Sequence, residues 1–384
     1  MLFFFSIHAV LFLYVFTRLI LPLAVSRPIK ALLALPLLLA TQHLLIRFFF
    51  GVLSTPPVAV WLILAEGWLY ATSLALFVLL LGRDGFLLVQ YLVRRSRRRG
   101  DAAGLASKPV VDTGRRAALF TMAAAVPMVY AVRSGVALPE SRPMEAAFAG
   151  LPRALDGLTI AHITDLHASD LFQPEWVEGV VQRVNALKAD LVILTGDLVD
   201  GSLERRREAI ARLGNIRAGI GIYACPGNHE YYAGYASWTG VYRQLGITML
   251  ENTHAVRTVN GVPLTIAGVT DQVAAGFGLP MPDPLKALEH APEDAFTLML
   301  KHRPGNAAAS AVAGAHFLLA GHTHGGHALG LNAVVRAFNN GYVHGWYTVD
   351  AMKMYVSSGA GLWNGFPVRL GVPSEIPFIT LRHV

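Results

Sequence analysis

Cysteine is almost missing from this chain: Cys225 stands alone among 384 residues. No intrachain disulfide can form, no thiolate cluster is available to close a structural zinc site, and cysteine usage leaves the compartment open. Charge is scarce as well, at 15% Asp, Glu, Lys and Arg against an apolar share of 54% and a mean hydropathy of +0.46. Soluble domains carry roughly 25% charged residues, so part of this chain belongs in lipid. Acidic residues are short on one side only: residues 1–150 hold 15 basic and 6 acidic side chains, residues 151–384 hold 17 and 19. The net charge of +7 therefore sits in the first part. The remainder lacks the basic excess that binding a phosphate backbone requires, so no nucleic-acid partner is expected. Internal repeats are absent, and the one low-complexity tract is a run of arginines.

Long apolar runs are present in their place. Residues 2–25, 29–50 and 58–81 each reach the length of a bilayer-crossing helix. The first is too long, and too closely followed by the others, for a secretory signal. "RRSRRR" at 94–99 and a polar linker precede a shorter apolar stretch from Gly114 to Gly135. Its Arg115-Arg116 pair is similar to a twin-arginine export leader, yet the three spans ahead of it favour a fourth membrane helix. The expectation is an α-helical transmembrane region over residues 1–138 with about four helices and a basic cytoplasmic loop at 94–116. Arginine-rich flanks stay inside, which puts the N-terminus and everything after the fourth helix outside the cytoplasm. Arg27 and Lys30 agree, and the "GVLSTPP" loop at 51–57 is uncharged. Glu66 lies within the third run, where an ionised carboxylate is costly. Arg47 is a candidate partner; protonation or snorkelling is the alternative.

Residues 139–156, rich in proline and small side chains, read as a linker. From residue 157 to 384 short β-rich runs such as "LTIAHIT", "DLVILTG" and "FTLMLKH" alternate with helical stretches such as "EWVEGVVQRVNALK", the pattern of one α/β domain. In such sheets ligands collect beyond the carboxyl ends of strands. There the sequence places Asp165 and His167 in "TDLH", Asp197 and Asp200 in "GDLVD", and Asn228, His229 and Glu230 in "GNHE". His302 follows in "KHRP", and His322, His324 and His327 in "GHTHGGH". Imidazole, carboxylate and amide oxygen together suit divalent zinc, manganese or iron. An Asp-x-His step in extended backbone would turn both side chains to one face.

This ordered series resembles the calcineurin-like metallophosphoesterase superfamily over about residues 155–384, and its membrane-anchored bacterial members in particular. The resemblance implies a two-sheet β-sandwich flanked by helices, with two divalent ions (manganese, zinc or iron) at one end. It implies that Asp165, His167 and His324 hold one ion, that Asn228, His302 and His322 hold the other, and that Asp197 bridges them. His229 would be the catalytic histidine, Asp200 would orient a ligand, and Glu230, Tyr231 and Tyr232 would line the substrate mouth. His327 stays open between a rim contact and a structural role, and His162 reads as a core residue. The implied activity is hydrolysis of phosphodiester or pyrophosphate bonds, lipid-linked ones included, by a hydroxide shared between the ions, at a bacterial inner membrane. The alternatives are a lipid phosphomonoesterase and a non-catalytic membrane sensor. Protein phosphatases of the superfamily follow G-D-x-x-D with arginine, whereas Asp200 is followed by Gly201, which disfavours protein dephosphorylation.

Overall fold

The computed structural model describes residues 2–49, 59–97, 112–328, 330–363 and 365–384, with the backbone alone at 2–5, 41–49 and 97. The uncharged loop at 51–57, most of the basic loop at 94–116 and the Arg47 side chain lie outside the described residues. The chain divides into two compact units, the first ending at Val132 and the second beginning at Arg133.

Among the described residues the first stretch holds four α-helices: α1 (Leu2–Val15), α2 (Arg27–Phe49), α3 (Val60–Arg97) and α4 (Thr113–Val136). Among the described residues, two helical segments are long and apolar enough to cross a membrane, Val60–Ser96 and Thr113–Val136, while Ser6–Ile20 is shorter. The first apolar run ends early because a π turn at Phe16–Ile20 leads into Pro22, which cannot continue a helix. The third overruns its expected end at residue 81. Its 38 residues make a rod of roughly 57 Å, well beyond a hydrocarbon layer of about 30 Å. Polar side chains partway along it are paired: Asp84 accepts from the Tyr14 hydroxyl at 3.0 Å and meets Arg18 Nε and Arg83 Nη1 at 2.8 Å each. That pairing ties the end of the first helix to the third and lowers the cost of charge among apolar side chains.

The second unit is a β-sandwich. The stretch read as a linker contains its first strand, β1 (Glu140–Phe148). Pro143 weakened the strand signal, but β1 is a sheet edge, where a missing N–H leaves no gap in the ladder. The first sheet also holds β2 (Thr159–Ile163), β3 (Leu191–Leu194), β4 (Gly221–Ala224) and β5 (Thr248–Met249). The second holds β6 (Thr253–Val259), β7 (Val262–Gly268), β8 (Phe296–Leu300), β9 (Phe317–Ala320), β10 (Gly345–Val349) and β11 (Met352–Val356). The last strand, β12 (Glu375–His383), returns between β1 and β2, giving the orders β1-β12-β2-β3-β4-β5 and β10-β11-β9-β8-β7-β6.

Alternation along these strands sends side chains into two different cores. Ile160, Leu191 and Ile193 of the first sheet meet Leu264, Leu298 and Phe317 of the second between the sheets. Their neighbours Ala161, Val192 and Leu194 face outward against α5 (Pro174–Ala186), α6 (Leu203–Ala211) and α7 (Asn228–Gln244). On the other side Met299, Leu318 and Met354 are covered by α8 (Pro284–Ala287) and α9 (Ala307–Val312). Burial on both faces explains the continuous apolar runs "LVIL" and "FLLA". The remaining helix, α10 (Leu331–Phe338), has no buried residue.

Register positions the site. β2, β3 and β4 are parallel with Ile163, Leu194 and Ala224 level, so their following loops leave the sheet at one height. In the second sheet β8 and β9 are parallel with Leu300 level with Leu319.

Candidate metal centre

The loops after β2, β3, β4, β8 and β9 converge, and each candidate ligand is almost wholly buried apart from the partly exposed His322. Asp165, His167 and His324 bring one ligand atom each within 4.8 Å of one another, as do Asp197, His302 and His322. A third set, His167, Asp197 and His229, shares members with both. Asp197 links them: its Oδ2 lies 3.1 Å from His302 Nε2 and 3.8 Å from both His167 Nε2 and His229 Nε2.

The imidazoles are aimed by what their other nitrogen touches. His302 Nδ1 lies 2.7 Å from the Thr195 carbonyl, which turns Nε2 inward. Asp200 Oδ1 holds two rings at once, His167 Nδ1 at 3.0 Å and His229 Nδ1 at 2.6 Å. Asp165 is fixed through Oδ2, which accepts from the His322 amide at 2.9 Å and the Thr164 hydroxyl at 2.8 Å. What remains is informative: Asp165 Oδ1, His167 Nε2 and Asn228 Oδ1 are buried and make no hydrogen bond. Buried polar atoms are ordinarily paired. Orphaned donors from two loops, Asp165 and His167 after β2 and Asn228 after β4, therefore fit cation binding, and a nitrogen and oxygen set without sulfur fits zinc, manganese or iron.

Electrostatics agree with this. Burial disfavours ionisation of Asp165, Asp197 and Asp200, yet the surrounding imidazoles hold all three carboxyls well below the usual range. His302 moves oppositely: burial lowers it, the Asp197 carboxylate outweighs burial, and the result is about 9. His322, with burial and then His302 and Arg303 acting on it, falls to about 3.

Backbone conformation departs from expectation. Asp165 and His167 are not extended; they take φ of 54° and 49°, and Asp197, His322, His324 and His327 are likewise left-handed, at 48° to 71°. Such conformations cost about 1–3 kcal/mol each and cluster at functional sites. Turning back after each strand end lets donors separated by one residue face a single point. Close approach is the other device. A Cβ at Gly321 would sit 2.1 Å from Thr164 Oγ1 and 2.3 Å from Asp165 Oδ2. Gly321→Ala should displace Asp165, cost about 1–3 kcal/mol through overpacking and lower bound metal. Elemental analysis beside a thermal melt checks this, and an alanine variant with full metal content would contradict it.

Two sequence expectations, for Glu230 and Tyr231, need correction. Glu230 does not line a mouth: it is fully buried and accepts from the amides of Asp197 (2.9 Å), Leu198 (2.7 Å) and Gly227 (2.8 Å). At the third position of α7 its side chain folds back to brace the Asp197 loop. Tyr231 is 2% exposed and stacks on Tyr235 at 4.3 Å. Only Tyr232 stands at the opening, 5.6 Å from the His229 ring. His327 is set beside His324, 5.0 Å between rings, and against Phe366 at 5.4 Å, while His162 bonds Thr195 inside the core at 2.8 Å.

Sequence reasoning passed over two arginines. Arg369 is fully buried and donates to the carbonyls of Ser358 (2.7 Å) and Gly361 (2.8 Å) and, at 3.4 Å, of His324, pinning the histidine-rich turn from behind. Arg303 follows His302 directly, and its Nε reaches both Asp271 oxygens at 3.0 and 3.2 Å. Burial raises the Tyr232 phenol and the Arg303 charge opposes part of that rise, while the same charge adds to burial and His302 in lowering His322, so Arg303 is a neighbour of both. The position after a ligand histidine was the available signal.

Residues 158–326 match the calcineurin-like phosphoesterase family. An uncharacterized metallophosphoesterase of Helicobacter pylori is 34% identical over 226 residues, 58% of this chain and 60% of that protein. The transmembrane protein with metallophosphoesterase domain of Danio rerio is 31% identical over 284 residues, 70% of this chain and 63% of that protein. An uncharacterized metallophosphoesterase of Bacillus subtilis, YkuE, is 28% identical over 60% of this chain and 82% of its own length. The chain thus spans 60% to 63% of the first two relatives' length. The match begins at β2 and runs through the histidine-rich turn, the same span that supplies every donor of the centre, so residues 158–326 form a calcineurin-like phosphoesterase domain.

Proposed function

We propose that this chain is a membrane-anchored phosphoesterase that uses two divalent ions to hydrolyse phosphodiester or pyrophosphate bonds, with lipid-linked substrates the favoured class. One observation carries the reading: two histidine-carboxylate sets meet at the single carboxylate of Asp197. In this reading Asp165, His167 and His324 hold one ion, Asn228, His302 and His322 the other, and Asp197 is shared. Two such ions, when bound, polarise phosphoryl oxygens and lower the pKa of a water. His229 presents Nε2 toward Asp197 while Asp200 fixes Nδ1, an arrangement suited to passing a proton to a departing oxygen. Arg303 adds positive charge for the substrate's phosphate.

The diester preference is supported by what stands after Asp200. Gly201 replaces the arginine of protein phosphatases, and Arg206, which reaches back to this loop, is committed to the Asp200 carbonyl at 3.0 Å and to Asp170 at 2.7 Å. Anchoring rests on Val60–Ser96 and Thr113–Val136. Sidedness rests on Arg94, Arg95 and Arg97 ending α3 and Arg115 and Arg116 beginning α4, which by the positive-inside rule send the catalytic domain outside the cytoplasm of a bacterial inner membrane.

The test is to strip metal from the full chain in detergent, restore manganese or zinc, and compare bis(4-nitrophenyl) phosphate with 4-nitrophenyl phosphate. The expected result is metal-dependent cleavage with kcat/KM for the diester higher by about tenfold or more, a difference of ~1.4 kcal/mol. Monoester preference would redirect the reading to a lipid phosphatase. Inactivity on both with two ions bound would favour the sensor.

A further inference from the structure

Two stretches next to the metal centre carry apolar side chains that no described residue of the second unit covers. In the first, Tyr232, 45% exposed, sits 5.6 Å from the His229 ring and 6.2 Å from Phe277, which is itself half exposed, with Met281 following. In the second, α10 leaves the histidine-rich turn: Asn332 packs so closely on Gly326 that a Cβ there would meet its Cα at 2.6 Å. Leu331, Val334 and Phe338 recur along one face of α10 and stay exposed, Phe338 at 83%. A helix with no buried residue gains nothing from its apolar side chains while it faces water.

We propose that these two stretches form a membrane-docking surface, with α10 and the Phe277 turn seated in the headgroup region of a bilayer. Three observations select lipid over a protein partner. Residues 328–349 contain no Asp or Glu, and Arg336 lies exposed on α10, so the surface complements anionic headgroups. Only residues 137–139 separate the end of the apolar helix α4 from β1, and three extended residues reach roughly 10 Å. The tether between the apolar helix and the domain is therefore short. Each stretch also adjoins the metal centre, Tyr232 at His229 and Asn332 at the His324–Gly326 turn, so seating both would present the centre to molecules lying in the lipid plane. This deepens the proposed function and rests on its membrane-anchored reading; it specifies that the scissile phosphate is reached from the bilayer surface.

The probe is a thiol-reactive, environment-sensitive fluorophore on Phe338→Cys in the full chain reconstituted into vesicles of phosphatidylcholine and phosphatidylglycerol. Val334→Cys serves as a second site and Arg217→Cys, exposed ahead of β4 at the opposite end of the sheet, as the control. Cys225 is buried, so the parent chain stays unlabelled. At both α10 positions the expected result is blue-shifted emission that loses about half its intensity to nitroxide-labelled lipids, as an interfacial depth of about 5–10 Å requires. The control should remain water-like. Unshifted, unquenched emission at both α10 positions would overturn the proposal. So would a blue shift that lipid nitroxides leave untouched and that fades at low protein-to-lipid ratio, because a second copy would then cover the face. Diester hydrolysis by the labelled chain is followed in parallel: activity with a water-exposed probe sinks this inference alone, while a quenched probe without hydrolysis sinks the enzymatic reading and leaves the surface standing.

Discussion

Asp197→Asn is expected to empty both halves of the metal centre and to lower diester hydrolysis by about three orders of magnitude, ~4 kcal/mol of transition-state stabilisation. The substitution preserves volume and removes one negative charge. That charge lies 3.1 Å from His302 Nε2 and 3.8 Å from His167 Nε2, so it touches a member of each ligand set. Asp197 Oδ1 also accepts the His229 amide at 2.8 Å, and an asparagine oxygen can keep that bond. The fold should therefore survive. Elemental analysis is expected to fall from about two ions per chain to below one, with circular dichroism unchanged. Retention of both ions would show that each half binds independently of Asp197 and would remove it as the shared ligand.

The second large effect separates ligand from catalyst. His229 belongs to one of the close sets, with His167 and Asp197, yet its side chain is 11% exposed where those of Asp165, His167 and His302 are wholly buried. It faces the opening. His229→Ala should leave metal content unchanged and reduce kcat by about 10²–10³-fold, the usual contribution of a positioned proton donor. The loss should be larger for a diester with an aliphatic leaving alcohol than for a nitrophenyl ester, because nitrophenolate departs without protonation. A variant that loses one ion would make His229 a ligand, and one with normal turnover on both esters would exclude it from the reaction.

How much of this was readable beforehand follows from the range of the interactions. The strands of the two cores appear as apolar runs four to nine residues long, and β2, β3, β4, β8 and β9 were legible for that reason. β6 and β10 were not. β6 carries little burial along its length and β10 alternates partly buried with exposed residues, so neither stands out from a loop. β1 was lost to Pro143 and to a pairing partner, β12, more than 200 residues away. In the helical region the third apolar run was cut short at Gly82, but a helix tolerates isolated glycines and α3 continues to Arg97.

For the centre, the sequence by itself determined which donors exist and that they stand at strand ends. Each motif spans a few residues, and the link from strand end to loop is local. Tertiary structure alone decided how the donors combine. The amide of His322 reaches Asp165 across 157 residues, and Thr195 orients His302 across 107. It also turned Glu230 inward, although a carboxylate beside His229 looks the same in sequence whether it faces substrate or three backbone amides. The exposed face of α10 is a result of the same kind. Apolar spacing marks a helix with one apolar side, but only the folded chain shows whether another element covers it, since covering is set by packing between residues distant in sequence.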